Sequence, residues 1–196
     1  LDVTDAAACA EAVNSIESTL GPIDLAVLGA GTYEPVSIDA IEPPAFAAMM
    51  NTNYMGVVNC LAPLAPRMIA RNAGHLAWIA SVAGYMGLPK AAAYGPTKAA
   101  LINLGESLYP EMRLKGVQVS VINPGFVATP LTAQNDFEMP FLMQPADAAR
   151  RSIEGLASGR FEIAYPTRFV TILKSIRALP YPLFFRLITR GVLKAK

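Results

Sequence analysis

Three short runs in this sequence are almost wholly apolar, and each stops at a turn or small polar residue: "DLAVLGAG" (24–31), "HLAWIAS" (75–81) and "VQVSVINPG" (117–125). Runs of this length with little polar alternation are the mark of strands buried on both faces. The stretches between them carry apolar residues at helical spacing. Residues 4–20 read as a helix that stops at Gly21-Pro22, and 45–70 as a long helix kinked at Pro63 and Pro66. Residues 96–114 read as a helix that tolerates Pro96 near its start, and 145–157 as a further one. "RFEIAYP" (160–166) supplies a fourth strand, followed by two short helices. Strands that alternate with helices pair in parallel, so the expected fold class is α/β with a doubly wound parallel sheet. The 196 residues suffice for one domain with a real core.

Only 16% of the chain is charged, which argues against disorder. The net charge of +1 gives no global attraction to nucleic acid, and no metal site is expected. The charge is uneven, however. Residues 1–162 carry 9 Lys/Arg against 15 Asp/Glu, while residues 163–196 carry 7 Lys/Arg and no acid. That basic, aromatic helical tail is expected either to cover the core as a solvated helix or to rest on anionic lipid. Cys9 and Cys60 lack metal or redox spacing and are expected to pack in a reducing compartment, hence a cytoplasmic location, with peripheral membrane contact as the alternative. No run reaches membrane-spanning length, and no signal-peptide pattern opens the sequence.

In open parallel sheets, ligands bind beyond the carboxyl ends of the strands. The residues there are Gly29 to Gly31, Ser81, and Asn123 to Gly125. Tyr94 and Lys98 stand four apart at a helix start, which puts both side chains on one face. Seven tyrosines and six lysines would produce such a pair by chance roughly one time in five, so the pair needs its context. The context is a stretch of Gly, Ala and aliphatics, "SVAGYMGLPKAAAYGPTKAALINL" (81–104), in which Ser81, Tyr94 and Lys98 are conspicuous polar exceptions.

With "DVTD" (2–5), "LGAG" (28–31), "NYMG" (53–56), "ASVAGYMGLPKAAAYGPTKAAL" (80–101) and "NPGFVATP" (123–130), the sequence resembles the short-chain dehydrogenase/reductase family in both order and spacing. The resemblance implies a Rossmann-like sheet and an NAD(P)-dependent oxidoreductase that interconverts a carbonyl and a secondary alcohol. It implies Tyr94 as general acid/base, with Lys98 lowering the Tyr94 pKa and holding the nicotinamide ribose. Ser81 would hydrogen-bond the reacting oxygen, and Asn53 would anchor a water leading from Lys98. By the same resemblance Asp2 and Val3 would lie at the adenine and Ala30 and Gly31 at the cofactor ribose. Pro124, Gly125, Val127 and Thr129 would line the nicotinamide. The cofactor is expected to be NADP or NAD, with NADP slightly ahead, the substrate a small apolar carbonyl or alcohol, and the assembly a homo-oligomer.

The chemistry has a physical basis. A free tyrosine pKa is about 10. An ammonium ~4 Å away is worth about 4 kcal/mol at an effective dielectric of 20 and about 1 kcal/mol in water. At about 1.4 kcal/mol per unit, Lys98 is expected to depress Tyr94 by up to roughly three units, less what desolvation takes back. Plainer roles stand beside these: Ser81 as a strand-end cap, Asn53 as a bridge to helix backbone, His75 as structural, and Met139, Phe141, Leu142 and Met143 as either a lid or core.

The family's Gly-rich turn after its first strand, whose amides bind pyrophosphate, is absent. "LDVTD" follows the third strand in the family, so strands equivalent to its fourth to seventh are expected here, with two βα units of about 30 residues each lacking. "DLAVLG" should then form an open apolar edge, and the sequence is expected to be a fragment of a longer chain, binding dinucleotide poorly by itself. "LGAG" also stands where the family has an Asn-rich turn. A catalytically silent nucleotide-binding or scaffold protein, a membrane-surface lipid carbonyl reductase, and a sugar epimerase are the alternatives weighed against the dehydrogenase.

Overall fold

The computed structural model describes residues 1–36, 39–135 and 137–190, so the last six residues of the basic tail lie outside the described residues. Four strands, β1 (Leu25–Leu28), β2 (Gly74–Ile79), β3 (Val117–Pro124) and β4 (Glu162–Tyr165), lie side by side in chain order, every pair parallel. The helices are α1 (Ala6–Leu20), α2 (Pro43–Met50), α3 (Gly56–Ala70), α4 (Tyr94–Leu114), α5 (Pro145–Ala157), α6 (Thr167–Arg177) and α7 (Tyr181–Ile188). The expected α/β sheet is therefore present. Gly21 closes α1 at φ 90°, as anticipated; at its start Asp5 accepts from the Ala8 N–H at 3.0 Å, and Pro145 opens α5.

The register shows how both faces are covered. Trp78, Val121 and Glu162 are lateral partners and share one face, while Ile79, Ile122 and Ile163, one residue on, share the other. Gly105 of α4 rests directly on Val121 and Trp78, and Gly155 of α5 rests on Ile163. α4 and α5 therefore pack on opposite faces. The Trp78 indole N–H, fully buried, donates to the Leu101 carbonyl at 2.9 Å and locks α4 to β2. α1 and α3 continue the α4 layer, with Cys9, Val13, Cys60, Leu64 and Met68 in the same core as Leu76 and Trp78. On the opposite face of β1, Leu25 and Val27 remain 46% exposed, so the outer strand presents the apolar surface expected of it.

Some expectations are corrected. The single helix expected over 45–70 is divided: α3 runs through Pro63 and Pro66 as continuous α-helix, and a π-helical turn over Asn51–Met55 separates it from α2. Cys9 and Cys60 pack as free thiols 3.7 Å apart, and burial, with Cys9 alongside, pushes the Cys60 thiol up to about 11. His75 is structural: its Nε2 lies 2.8 Å from the Ser120 hydroxyl, and burial lowers its pKa. Met143 bridges to Val127 and packs in the core, whereas Phe141 and Leu142 stay exposed.

Gly105 gives a direct test of this packing. A Cβ there would stand 2.3 Å from Val121 Cγ2 and 3.2 Å from Trp78 Cζ2, both on buried side chains. Overpacking of this kind costs about 1–3 kcal/mol, and the better helix propensity of alanine returns up to about 1 kcal/mol. Gly105→Ala should therefore lower the thermal midpoint by several degrees, at about 2–4 °C per kcal/mol for a chain of this size, as read by calorimetry.

Candidate active site

The carboxyl ends of β1, β2 and β3 converge on the first turn of α4. The short 3₁₀ turn Val82–Gly84 after β2 presses on α4 so closely that a Cβ on Gly84 would lie 2.7 Å from the carbonyl carbon and oxygen of Lys98. Only a residue without a side chain permits this backbone approach. A Cβ on Gly95 would likewise stand 3.3 Å from the Ala83 carbonyl oxygen. The small residues of this stretch thus bring Ser81, at the head of the turn, against Tyr94 and Lys98 of the helix.

Lys98 is 4% exposed, and its Nζ donates to the Ile79 carbonyl at 2.9 Å. Among the described residues no carboxylate pairs with it, and burial alone pulls its amine down to about 8. The same Nζ sits 5.5 Å from the centroid of the Tyr94 ring. Tyr33 packs edge-on against that ring at 5.1 Å. Burial pushes the Tyr94 phenol up to about 12; hydrogen bonding to Ser81 pulls the other way, and Tyr33 adds to the rise. The expectation that Lys98 depresses Tyr94 is thus reversed in the protein alone. The amine is turned to a backbone carbonyl and lies over the ring, so desolvation decides the phenol's pKa.

Ser81 Oγ accepts from the Ala83 N–H at 3.1 Å and donates to the Pro124 carbonyl at 3.5 Å, so it caps the turn as well as facing Tyr94. Asn53 lies in the π-helical turn, fully buried. Its Oδ1 accepts from the Thr32 N–H at 2.7 Å, and its Nδ2 donates to the Thr32 carbonyl at 2.9 Å and to Thr97 Oγ1 at 3.0 Å. Both amide hydrogens are spent on protein. The side chain is therefore a clamp between the β1 turn and α4. Thr97, which passes the bond on to the Tyr94 carbonyl at 2.7 Å, was not anticipated, nor were Thr32 and Tyr33. The only signal for Thr97 was one more polar residue in an Ala/Gly-rich helix.

Gly31 lies against this group: a Cβ there would stand 3.4 Å from Asn53 Oδ1 and 3.6 Å from Lys98 Nζ. Ala30 and Gly31 are exposed above it. Val3 packs on Gly56, just past the π turn, and its carbonyl accepts from Asn59 Nδ2 at 2.9 Å. The exposed Asp2 carboxylate accepts from the Thr4 N–H at 2.9 Å and from its hydroxyl at 2.8 Å, bonds that hold its pKa below the ordinary value. On the other side, Gly125 donates to the Tyr165 carbonyl at 2.7 Å, with Phe169 and Pro166 closing where its side chain would be. Thr132 ties Val127 and Thr129 together by accepting from the Thr129 N–H and donating to the Val127 carbonyl. The structure thus gathers Asn53, Ser81, Tyr94, Lys98, Gly31 and Pro124 closely, with Asp2, Val3, Val127 and Thr129 on the flanking segments.

A parallel sheet covered on its faces by helices, with small residues at its strand ends and a buried lysine beside a tyrosine, is an α/β fold of the Rossmann type. Residues 1–139 match the sequence pattern described as short chain dehydrogenase, and the chain belongs to that family. An uncharacterized oxidoreductase of Myxococcus xanthus is 36% identical over 184 residues, which cover 94% of this chain and 73% of the relative. The acetoacetyl-CoA reductase of Shinella zoogloeoides is 33% identical over 128 residues, 65% of this chain but only 53% of that enzyme. A short chain dehydrogenase from Burkholderia cenocepacia, solved in complex with NADP, superposes with a TM-score of 0.82 at 25% identity over 96% of this chain and 77% of its own.

Proposed function

We propose that this chain carries the catalytic face of an NAD(P)-dependent oxidoreductase that interconverts a carbonyl and a secondary alcohol, with Tyr94 as the proton-transferring group. The observation that carries the reading is the Lys98 ammonium, buried without a carboxylate, one helical turn from a phenol that Ser81 also touches. Of its three N–H donors one is spent on the Ile79 carbonyl, which leaves capacity for a ligand's hydroxyls. Gly31, whose missing side chain keeps the space above Asn53 and Lys98 open, supports a nicotinamide ribose at the same place. The residues named here account for the ribose and nicotinamide end of a dinucleotide, with Pro124, Gly125, Val127 and Thr129 along the nicotinamide and Asp2 and Val3 toward the adenine. NADP is favoured slightly over NAD. The bound nicotinamide would supply or accept the hydride.

The protein's own groups handle the proton. With the phenol pushed up to about 12, Tyr94 is protonated at neutral pH, the form needed to donate to a carbonyl oxygen. Ser81 Oγ lies beside it to share the hydrogen bond to that oxygen. Asn53 and Thr97 hold the first turn of α4 so that phenol and amine keep their places. The acetoacetyl-CoA reductase among the relatives makes 3-oxoacyl thioesters the first substrates to try.

The test is consumption of NADPH or NADH by this chain with acetoacetyl-CoA and simple ketones, set against the Tyr94→Phe protein. Equal rates for the two proteins would overturn the reading. A pH dependence follows as well. Lys98, lowered to about 8, is charged below that pH and neutral above it. If its charge is used, kcat/KM for reduction should be level at lower pH and fall as pH rises through about 8, well before the phenol titrates.

A further inference from the structure

α7, "YPLFFRLI" (181–188), carries large apolar or aromatic side chains at six of its eight positions over a wide arc, yet only two of its eight side chains are buried. A surface helix of a globular protein shows one apolar stripe, and a helix that is apolar all round is ordinarily enclosed. Here Phe184 and Ile188 face the core beside Phe169, Val170 and Leu173. The rest points outward: Tyr181 is 62% exposed, Leu183 50%, Phe185 58% and Leu187 46%. Tyr181 and Phe185 stack with centroids 5.6 Å apart at 15°, and Phe184 packs edge-on against both, so the exposed aromatics form one preorganised ledge.

The segment that carries this ledge is charged with one sign. Residues 163–196 hold 7 Lys/Arg and no acid. Arg168 and Arg177 on α6, Arg186 on α7 and Arg190 just beyond it are all exposed. A second copy of the chain docking ledge to ledge would bring like charges together, which opposes association. An anionic lipid surface meets both features. The aromatic and aliphatic side chains enter the headgroup boundary, while the arginines stay at the phosphates. Among the described residues no helix is long and apolar enough to cross a membrane, so the contact is peripheral.

We propose that α7, with its flanking arginines, docks this protein on anionic membrane surfaces. Each basic residue near such a surface strengthens partitioning roughly five-fold. The inference does not depend on the catalytic reading.

The experiment is co-sedimentation of the full chain with vesicles of phosphatidylcholine mixed with phosphatidylglycerol, and with vesicles of phosphatidylcholine alone, alongside the protein's sedimentation without lipid. Binding to the mixed vesicles should exceed that to neutral ones by about ten-fold or more and weaken as salt is raised. The double variant Tyr181→Ser/Phe185→Ser, which alters only exposed rings, should lose about ten-fold or more. Arg186→Glu, which spares the apolar ledge, should lose a similar factor. The proposal is overturned if the protein stays in the supernatant with mixed vesicles, or binds both kinds equally. It is also overturned if both variants, folded as judged by circular dichroism, bind as the native chain does, or if the ledge substitutions abolish self-association while leaving vesicle binding intact.

Discussion

Tyr94→Phe should reduce the turnover of this protein by about a thousand-fold while leaving its fold in place. The substitution removes one oxygen. The ring, its edge contact with Tyr33 and the backbone bond from Thr97 all remain. What is lost is the proton donor, and a positioned general acid contributes about 10²–10⁴-fold. Little stability should go with it, because the phenol is hydrogen-bonded to Ser81, and a neutral hydrogen bond nets only about 1 kcal/mol. Steady-state rates with NADPH and NADH, with thermal melts of both proteins, check the two halves together. A loss of rate accompanied by an equal loss of folded protein would point to a structural tyrosine instead.

Lys98→Met should act oppositely on the two measurements: activity falls sharply and stability rises. The amine has an ordinary pKa of 10.5 and is pulled down to about 8 in the folded chain by burial. The folded state therefore binds fewer protons than the unfolded one between those values. The cost is fully present below pH 8, and it fades as pH rises from about 8 toward 10.5. Methionine fills the space without a charge to desolvate. Once the hydrogen bond to the Ile79 carbonyl is given up, about 2 kcal/mol of the relief should remain, or about 4–8 °C in thermal midpoint. The gap between variant and native stability should close as the buffer is taken toward pH 10.5. A site that holds a destabilising buried charge is the usual signature of function kept at the expense of stability. If the variant is less stable than the native chain at neutral pH, Lys98 is a structural residue.

Much of the fold was legible because its signals are local. Apolar runs ending at Gly29, Ser81 and Pro124 marked strand ends, Gly21 marked a helix end, and three of the four strands fall inside the stretches expected of them, while β2 starts one residue early, at Gly74. Pro63 and Pro66 lack the N–H that a helix interior uses, yet α3 continues through both. The π turn at Asn51–Met55 carries no local mark at all; it is imposed where Asn53 must reach Thr32 and Thr97 at once. Thr97 and Tyr33 were missed for the same reason, because their roles are defined by partners far along the chain.

The sequence by itself determined the order of strands and helices and placed Ser81, Tyr94 and Lys98 at the carboxyl edge of a parallel sheet, because period and turn chemistry act over a few residues. Only the tertiary structure decided how those groups are charged and held. Lys98 has no carboxylate partner among the described residues and is turned to the Ile79 carbonyl, Tyr94 is desolvated against Tyr33, and Asn53 is committed to residues 21 before it and 44 after it. Proton affinity depends on burial and on through-space neighbours, and neither is written in the spacing of residues along a chain.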